Sequence, residues 1–369
     1  MTDSATSFRD LTTLRVGGPI ERLVQPSTRE ELIEAAIGAW GSPEDWLVLG
    51  GGSNLLVADE GVPGTVIRVA TRGIDRATDG VPRIRVEAGE DWDAVVAYAV
   101  GQGLAGIEAL SGIPGTAGAA PVQNIGAYGQ QLSDALIAID FLDFESGEVV
   151  TIPASELDLG YRTSALKQGR LGVVLSLELE LADAGGLSAP IAYAQLASAL
   201  GVELGARVPL ADARAAVLAL RASKGMVLDP ADPDSVSAGS FFTNPIVSEA
   251  FARESLPADA PRFPVEPDDA PPRVLPLGSE IPPIDPVSSG EFMVKLSAAW
   301  LIEHAGISRG FALPGSRAAV SSKHTLALVN RGDATAAEIV QLAGYVQTRV
   351  ESEFGVRLQP EPTLVGVEL

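Results

Sequence analysis

From Leu175 to Leu181 the chain alternates apolar and polar side chains without a break: leucines at 175, 177, 179 and 181, with Ser176, Glu178 and Glu180 between them. Successive side chains of an extended strand point to opposite faces, so this spacing predicts a strand with one dry and one wet face. Further strands are predicted at residues 47–49, 66–69, 84–87 and, last in the chain, about 364–367. Helical signals lie among them. Ser27-Thr28-Arg29-Glu30-Glu31 is a capping box ahead of Leu32, Ile33, Ala36 and Ile37. Residues 91–100 place Trp92, Val95, Val96, Ala99 and Val100 at the 3.6-residue period. Helices are also expected at 210–223 and 295–304. A long final one is capped by Thr335 and Glu338, faces Ile339, Leu342, Val346, Val350 and Phe354 inward, and ends at Gly355. Strands and helices in so uneven an order specify α+β domains, not a regular βαβ array. At 369 residues the chain is expected to hold more than one domain. Residues 257–286, dense in Pro and Asp, read as an irregular surface insertion.

Charge and composition remove several functional classes. Twenty-six basic against 48 acidic residues give a net charge of −22, which opposes bulk attraction to nucleic acid or to an anionic membrane. A local cluster of cations can still hold a small anionic ligand, and only four lysines exist: Lys167, Lys224, Lys295 and Lys323. Absence of cysteine excludes a disulfide scaffold, a thiolate nucleophile and Cys-type zinc sites. Two histidines, His304 and His324, do not make a multi-histidine centre, so no metal is expected. Residues 1–5 lack the basic and apolar regions of a signal peptide, and no apolar run reaches membrane-spanning length. The expectation is a soluble cytoplasmic protein.

Three glycine-rich stretches invite a phosphate-binding reading. Gly101-Gln102-Gly103-Leu104-Ala105-Gly106 matches the dinucleotide fingerprint in letters but follows a helix instead of opening one, so its glycines end that helix. The other two are better placed: Gly50-Gly51-Gly52-Ser53-Asn54 after a strand, and Ser111-Gly112-Ile113-Pro114-Gly115-Thr116 continuing to Gln123-Asn124-Ile125-Gly126-Ala127-Tyr128-Gly129. Small residues let backbone N–H groups close on an anion. Neither stretch contains Lys or Arg, so main-chain dipoles would carry a pyrophosphate, with Gln123 and Asn124 free to bond a heterocycle's edge. Ordinary turns are the alternative for either stretch alone; two such stretches in one chain point to a dinucleotide cofactor.

Gly239-Ser240-Phe241-Phe242-Thr243-Asn244-Pro245 surrounds one hydroxyl and one amide with two aromatics and a proline, as a loop that holds a proton donor beside a substrate would. Two distant segments belong with it. Tyr161-Arg162 offers a permanently charged guanidinium that can grip a carboxylate bidentately. Glu361 stands rigidly between Pro360 and Pro362. Taken singly, each of Ser240, Arg162 and Glu361 also reads as a surface or turn residue. No base is placed to make Ser240 a nucleophile, so a hydrolase triad is unsupported. His304 reads as packing on its helix and His324 as strand-edge structure.

Together these segments resemble the UDP-N-acetylenolpyruvoylglucosamine reductase (UDP-N-acetylmuramate dehydrogenase) family nearly end to end. The match runs through Thr12-Thr13-Leu14-Arg15-Val16-Gly17-Gly18-Pro19, residues 49–55, residues 111–129, Gly160-Tyr161-Arg162, residues 239–245, Lys295-Leu296-Ser297-Ala298-Ala299-Trp300-Leu301-Ile302 and Leu358-Gln359-Pro360-Glu361. The resemblance implies an α+β, three-domain flavoprotein with a two-domain FAD-binding part of the vanillyl-alcohol-oxidase type and a third, substrate-binding domain. The expected division is residues 1–71, completed by 352–369, then 72–208, then 209–351. It further implies FAD and NADPH as cofactors, and UDP-N-acetylglucosamine enolpyruvate as the substrate reduced for peptidoglycan precursor synthesis. On that likeness Gly50, Gly51, Gly52, Ser53, Asn54, Ser111, Gly112, Ile113, Gly115, Thr116, Gln123, Asn124, Gly126, Ala127 and Tyr128 are cofactor-binding. Arg162, Ser240 and Glu361 are catalytic, with hydride coming from flavin N5 and a proton from Ser240. Tyr161, Tyr193, Arg221, Lys224, Asn244 and Lys295 contact the nucleotide sugar. One departure bears on the chemistry: after Glu361 the chain reads Pro362-Thr363, where some members carry an arginine. An FAD oxidase on the same fold, and a non-catalytic nucleotide-sugar binder, are the competing readings. Oxygen consumption would mark the first, and a colourless protein the second.

Overall fold

A computed structural model describes residues 6–265 and 292–369. The opening residues 1–5 and the later part of the Pro-rich insertion, residues 266–286, lie outside them.

The first sheet is parallel. Ile20–Val24 and Trp46–Leu49 flank Val62–Arg68. The helix Arg29–Trp40 crosses between the two flanking strands, and its capping box is formed: Thr28 accepts from the Glu31 amide while the Glu31 carboxylate reaches back to the Thr28 amide. The last strand, Thr363–Val365, returns across the whole chain to pair in parallel with Leu55–Val57.

The second sheet is antiparallel and five-stranded, in the order Val149–Pro153, Leu136–Asp143, Gly172–Glu180, Arg83–Glu87, Ile74–Arg76. The alternating leucines of residues 175–181 sit at its centre, and Leu175, Leu177 and Leu179 are fully buried against Trp92, Val95 and Val96 of the helix Trp92–Gly101. The opposite face is not uniformly wet. Ser176 is buried too, because Arg29 lies over it and pairs with Asp140 of the neighbouring strand at 2.7 Å. Only toward Glu180 does that face open to solvent. In the strand Trp46–Leu49, Leu47 and Val48 are half-buried and Leu49 alone is enclosed.

The rest of the chain builds two further antiparallel sheets around the final helix, Ala336–Phe354. One is Ser237–Ser240, Ala327–Asn330, Ala318–Val320; the other is Ile246–Ser248, Met293–Leu296, Arg262–Pro264. Ile339, Leu342, Val346, Val350 and Phe354 pack with Phe241, Phe242, Leu296 and Ile302 into one core. The helix Leu210–Ala222 packs separately with Ala194–Leu200 through Leu196, Ala213 and Val217.

Three expectations are corrected. Lys295 and Leu296 belong to a strand, and helix begins only at Ala298, because Ser297 takes the N-cap and accepts from the Trp300 amide at 3.2 Å. The insertion is not irregular throughout: Arg262–Pro264 pairs with Met293–Leu296 as an edge strand, a position where proline's missing N–H is harmless. Gly239 and Ser240 are strand, not loop, with the Phe241 amide donating to the Leu326 carbonyl at 2.7 Å.

Candidate functional site

The two glycine-rich stretches meet backbone to backbone. A Cβ on Gly51 would stand 2.7 Å from the Gly115 Cα, one on Gly50 2.5 Å from Thr116 Oγ1, and one on Gly115 2.8 Å from Ser53 Oγ. Only glycine allows that approach. Ser53 Oγ seals it by donating to the Pro114 carbonyl at 2.8 Å. Among the described residues, none of the N–H groups of Gly50 through Asn54, nor those of Gly115 and Thr116, donates to a protein acceptor. Donors left free on two abutting turns are what a main-chain anion site needs when no side-chain cation is present.

The second stretch continues as the 3₁₀ helix Ala117–Gln123 and closes at Asn124, which is buried and left-handed (φ 44°). Asn124 Nδ2 donates to Ser133 Oγ and to the Gly160 carbonyl, both at 3.2 Å, while its Oδ1 accepts from the Ser133 amide at 3.0 Å. This fixes the turn that carries Tyr161 and Arg162. Arg162 is itself left-handed (φ 56°), an uncommon conformation for a side chain this large. Its Nη2 donates to the Gly126 carbonyl at 3.0 Å, and its Nε lies 3.2 Å from Glu361 Oε1. That last contact is an ion pair by distance, but its alignment is too poor for a hydrogen bond.

Glu361 gathers the site. Gln123 Nε2 approaches its carboxylate at 3.4 Å, and Asn54 Nδ2 donates both to Gln123 Oε1 at 2.8 Å and to the Glu361 carbonyl at 3.3 Å. The glycine cradle is thus wired to the carboxylate. The Glu361 amide donates to the Phe241 carbonyl at 2.9 Å, which brings the neighbouring Ser240 to the same place. The Ser240 hydroxyl has no partner among the described residues and is free to serve a guest. Burial pushes the Glu361 carboxyl above its ordinary range, against the pull of Arg162 and Lys167.

Two cavities adjoin, sharing Tyr161 and Arg162. The larger, about 580 Å³, is walled by Asn244, Val356 and Gln359; the smaller, about 350 Å³, by Asn124, Gly126, Ala127 and Tyr128. On the rim of the first, Lys295 Nζ lies 4.8 Å from the Tyr161 ring centre, and Asn244 Oδ1 accepts from the Ala298 amide at 2.9 Å. Beside the second, Tyr193 meets Tyr128 edge-on at 5.6 Å, and Lys224 Nζ, 5.6 Å from the Tyr128 ring centre, donates to Gln195 Oε1 at 2.9 Å. Arg221 reaches this group from the helix Leu210–Ala222, donating to the Met226 carbonyl at 2.9 Å beside Gly112.

Most of the expected residues therefore converge. Ile113 packs against the core, and Ser111, fully buried, spends its hydroxyl on the Glu108 carbonyl. Lys323 pairs with Asp232 at 2.8 Å, and His304 stacks on Trp300 at 3.8 Å. The sequence reading missed Lys167, whose Nζ donates to the Glu361 carbonyl at 3.4 Å. Its one sequence signal is its place five residues after Arg162. Among the described residues, no group of three or more His, Cys, Asp or Glu side chains could hold a metal ion, and no helix is long and apolar enough to cross a membrane.

A cradle of free amides beside a parallel sheet, wired to an arginine–carboxylate pair, suits a dinucleotide-dependent redox enzyme. Residues 20–153 match the family described as "FAD binding domain", which makes the class FAD-dependent oxidoreductase. Residues 230–365 match "UDP-N-acetylenolpyruvoylglucosamine reductase, C-terminal domain". The chain is 62% identical to the UDP-N-acetylenolpyruvoylglucosamine reductase of Leifsonia xyli subsp. xyli, covering 97% of this chain and 98% of that one. It is 52% identical to that of Saccharopolyspora erythraea, covering 97% and 94%. The crystal structure of the enzyme from Thermus caldophilus superposes with a TM-score of 0.61 at 27% identity, over 98% of this chain and 97% of the other. The chain belongs to the UDP-N-acetylenolpyruvoylglucosamine reductase family.

Proposed function

We propose that this chain reduces the enolpyruvyl double bond of UDP-N-acetylglucosamine enolpyruvate to give UDP-N-acetylmuramate for peptidoglycan synthesis, with NADPH as reductant, in the cytoplasm. The observation that carries the reading is the Arg162–Glu361 pair at 3.2 Å, joined through the Glu361–Phe241 backbone bond to a serine whose hydroxyl is unengaged. Gly50 to Asn54, Gly115 and Thr116 would hold the FAD pyrophosphate, with Gln123, Asn124 and Tyr128 beyond it. FAD, when bound, supplies the hydride that NADPH brings.

The chain's own part is binding, charge stabilisation and proton delivery. Arg162 holds the enolpyruvyl carboxylate and stabilises the negative charge that spreads into it from the neighbouring carbon. Glu361 serves that charge either by being protonated or by orienting a donor, since a bare carboxylate would repel it; burial raises its carboxyl above the ordinary range, against Arg162 and Lys167. Ser240 gives its proton to the carbon. Tyr161, Tyr193, Arg221, Lys224, Asn244 and Lys295 orient the nucleotide sugar across the two cavities. Residues 1–71 with 352–369 and residues 72–208 are read as the FAD-binding part, and 209–351 as the substrate domain. The pairing of Thr363–Val365 with Leu55–Val57 supports the first of these.

Ser240→Ala tests the assignment. Because the hydroxyl bonds nothing among the described residues, the variant should fold, keep FAD and be bleached normally by NADPH. Reoxidation by the enolpyruvyl nucleotide sugar should slow by roughly two to four orders of magnitude in stopped-flow absorbance. Reoxidation at the wild-type rate would remove Ser240 from the proton-donor role.

A further inference from the structure

Residue 361 is held from every side. Its amide is bound by the Phe241 carbonyl, its carbonyl accepts from Asn54 and Lys167, and its carboxylate faces Arg162 and Gln123. Of these partners only Arg162 and Lys167 carry charge. Arg162 is already committed to the Gly126 carbonyl and to Glu361. The lysine is delivered by a fixed turn: Ser164, fully buried, donates through Oγ to the Val122 carbonyl at 2.6 Å and accepts from the Lys167 amide at 3.1 Å. The backbone at Lys167 is thereby anchored to the end of the 3₁₀ helix that carries Gln123, and the amine reaches across to residue 361 at 3.4 Å. The next residue able to bring a cation from the C-terminal side is missing, since Pro362-Thr363 follow Glu361.

The geometry points to Lys167 as a positioning residue of the active site: its ammonium fixes the Glu361 backbone and adds a second positive charge near the carboxyl that Arg162 faces. This rests on the assignment of Arg162 and Glu361 to the enolpyruvyl carboxylate. The titratable or charged groups facing Glu361 are Arg162, Lys167 and Tyr161, and both cations pull its carboxyl down against burial. Burial in turn lowers the Lys167 amine, and the Glu361 charge raises it.

Lys167→Gln and Lys167→Arg, each as FAD-loaded full-length enzyme, separate this role from mere scaffolding. The flavin should be reduced by NADPH at the wild-type rate in both. In Lys167→Gln, reoxidation by the enolpyruvyl nucleotide sugar should slow about tenfold, the loss expected for one charged hydrogen bond. The pH limb assigned to Glu361, identified by its absence in Glu361→Gln, should move to higher pH, because a cation that held the carboxyl down is gone. Lys167→Arg should restore both rate and limb. An unmoved limb in Lys167→Gln, or an arginine variant no better than the glutamine one, overturns the proposal while leaving the site assignment intact. A wild-type flavin that the enolpyruvyl nucleotide sugar fails to reoxidise overturns the assignment and this proposal with it.

Discussion

Asn124 shows how one side chain can hold a catalytic loop that it does not belong to. It takes a left-handed backbone, which asparagine tolerates better than most residues, and uses its amide to join Ser133 to Gly160, two residues before Arg162. Asn124→Ala would leave half-buried Gly160 and Ser133 short of partners and put a side chain that cannot bond locally into a left-handed conformation. The expected cost is about 3 kcal/mol, from unmade buried bonds and backbone strain together. Asn124→Gly removes the strain but not the loss of bonding, so it should cost less. Urea denaturation of the three proteins gives the order wild type, Gly, Ala. Reoxidation by substrate should slow in both variants, since Arg162 loses its anchor. An Ala variant as stable as wild type would show that the turn is held by something other than this amide.

The glycine cradle belongs to the next scale, because no residue in it works alone. The Gly50–Asn54 turn and the Ser111–Thr116 turn are shaped for each other, and the unpaired amides of Gly50 to Asn54, Gly115 and Thr116 stand together only while the two backbones touch. Gly51→Ala pushes a methyl group to within 2.7 Å of the Gly115 Cα, and a backbone atom cannot swing aside as a side-chain tip can. The turns should part, and FAD affinity should fall at least about tenfold, or about 1.4 kcal/mol. The purified variant should be pale, and a flavin titration by fluorescence quenching measures the loss; a fully yellow variant would mean the cradle holds no flavin. Much at this scale was legible beforehand. The capping boxes at Thr28 and Thr335, the 3.6-residue periods and both glycine turns rest on local spacing, which the chain carries openly. What escaped depends on remote partners. Ser176 reads as wet until Arg29 is laid over it from 147 residues away, and Lys167 has no assigned partner until Glu361 arrives from 194 residues away. Lys295 lost its helix to strand partners on both sides, Ile246 in one and Phe263 in the other, which tertiary pairing supplies and propensity does not.

The molecule as a whole carries a charge of −22, so its response to acid is a contest among groups, and one of them can be isolated. His324, half-buried in the turn after the strand Ala318–Val320, has its imidazole lowered to about 4, first by burial and then by Lys224 and Arg309, with Glu303 opposing. The unfolded chain takes up this proton near pH 6.5 and the folded chain only near pH 4, so stability falls as pH falls across that window. A shift of this size corresponds to roughly 3 kcal/mol over the whole interval. Glu361 and Glu87 act in the opposite sense: both are raised chiefly by burial, so folding gains as each is protonated. Asp93, Asp140 and Asp234 are held low by their hydrogen-bonded partners, so their contribution disappears only at still lower pH. A raw acid-denaturation curve mixes these terms. Comparing wild type with His324→Gln does not, because every carboxylate is common to both. The variant should match wild type within about 1 kcal/mol at pH 7, the usual range for one tolerated substitution, and exceed it by about 2 kcal/mol at pH 4.5. Urea unfolding of the flavin-loaded proteins at the two pH values, followed by tryptophan fluorescence, reads the difference. Parallel curves for the two proteins would mean that the imidazole is already charged in the folded state, and that burial at this turn is not what sets the acid limit of the fold.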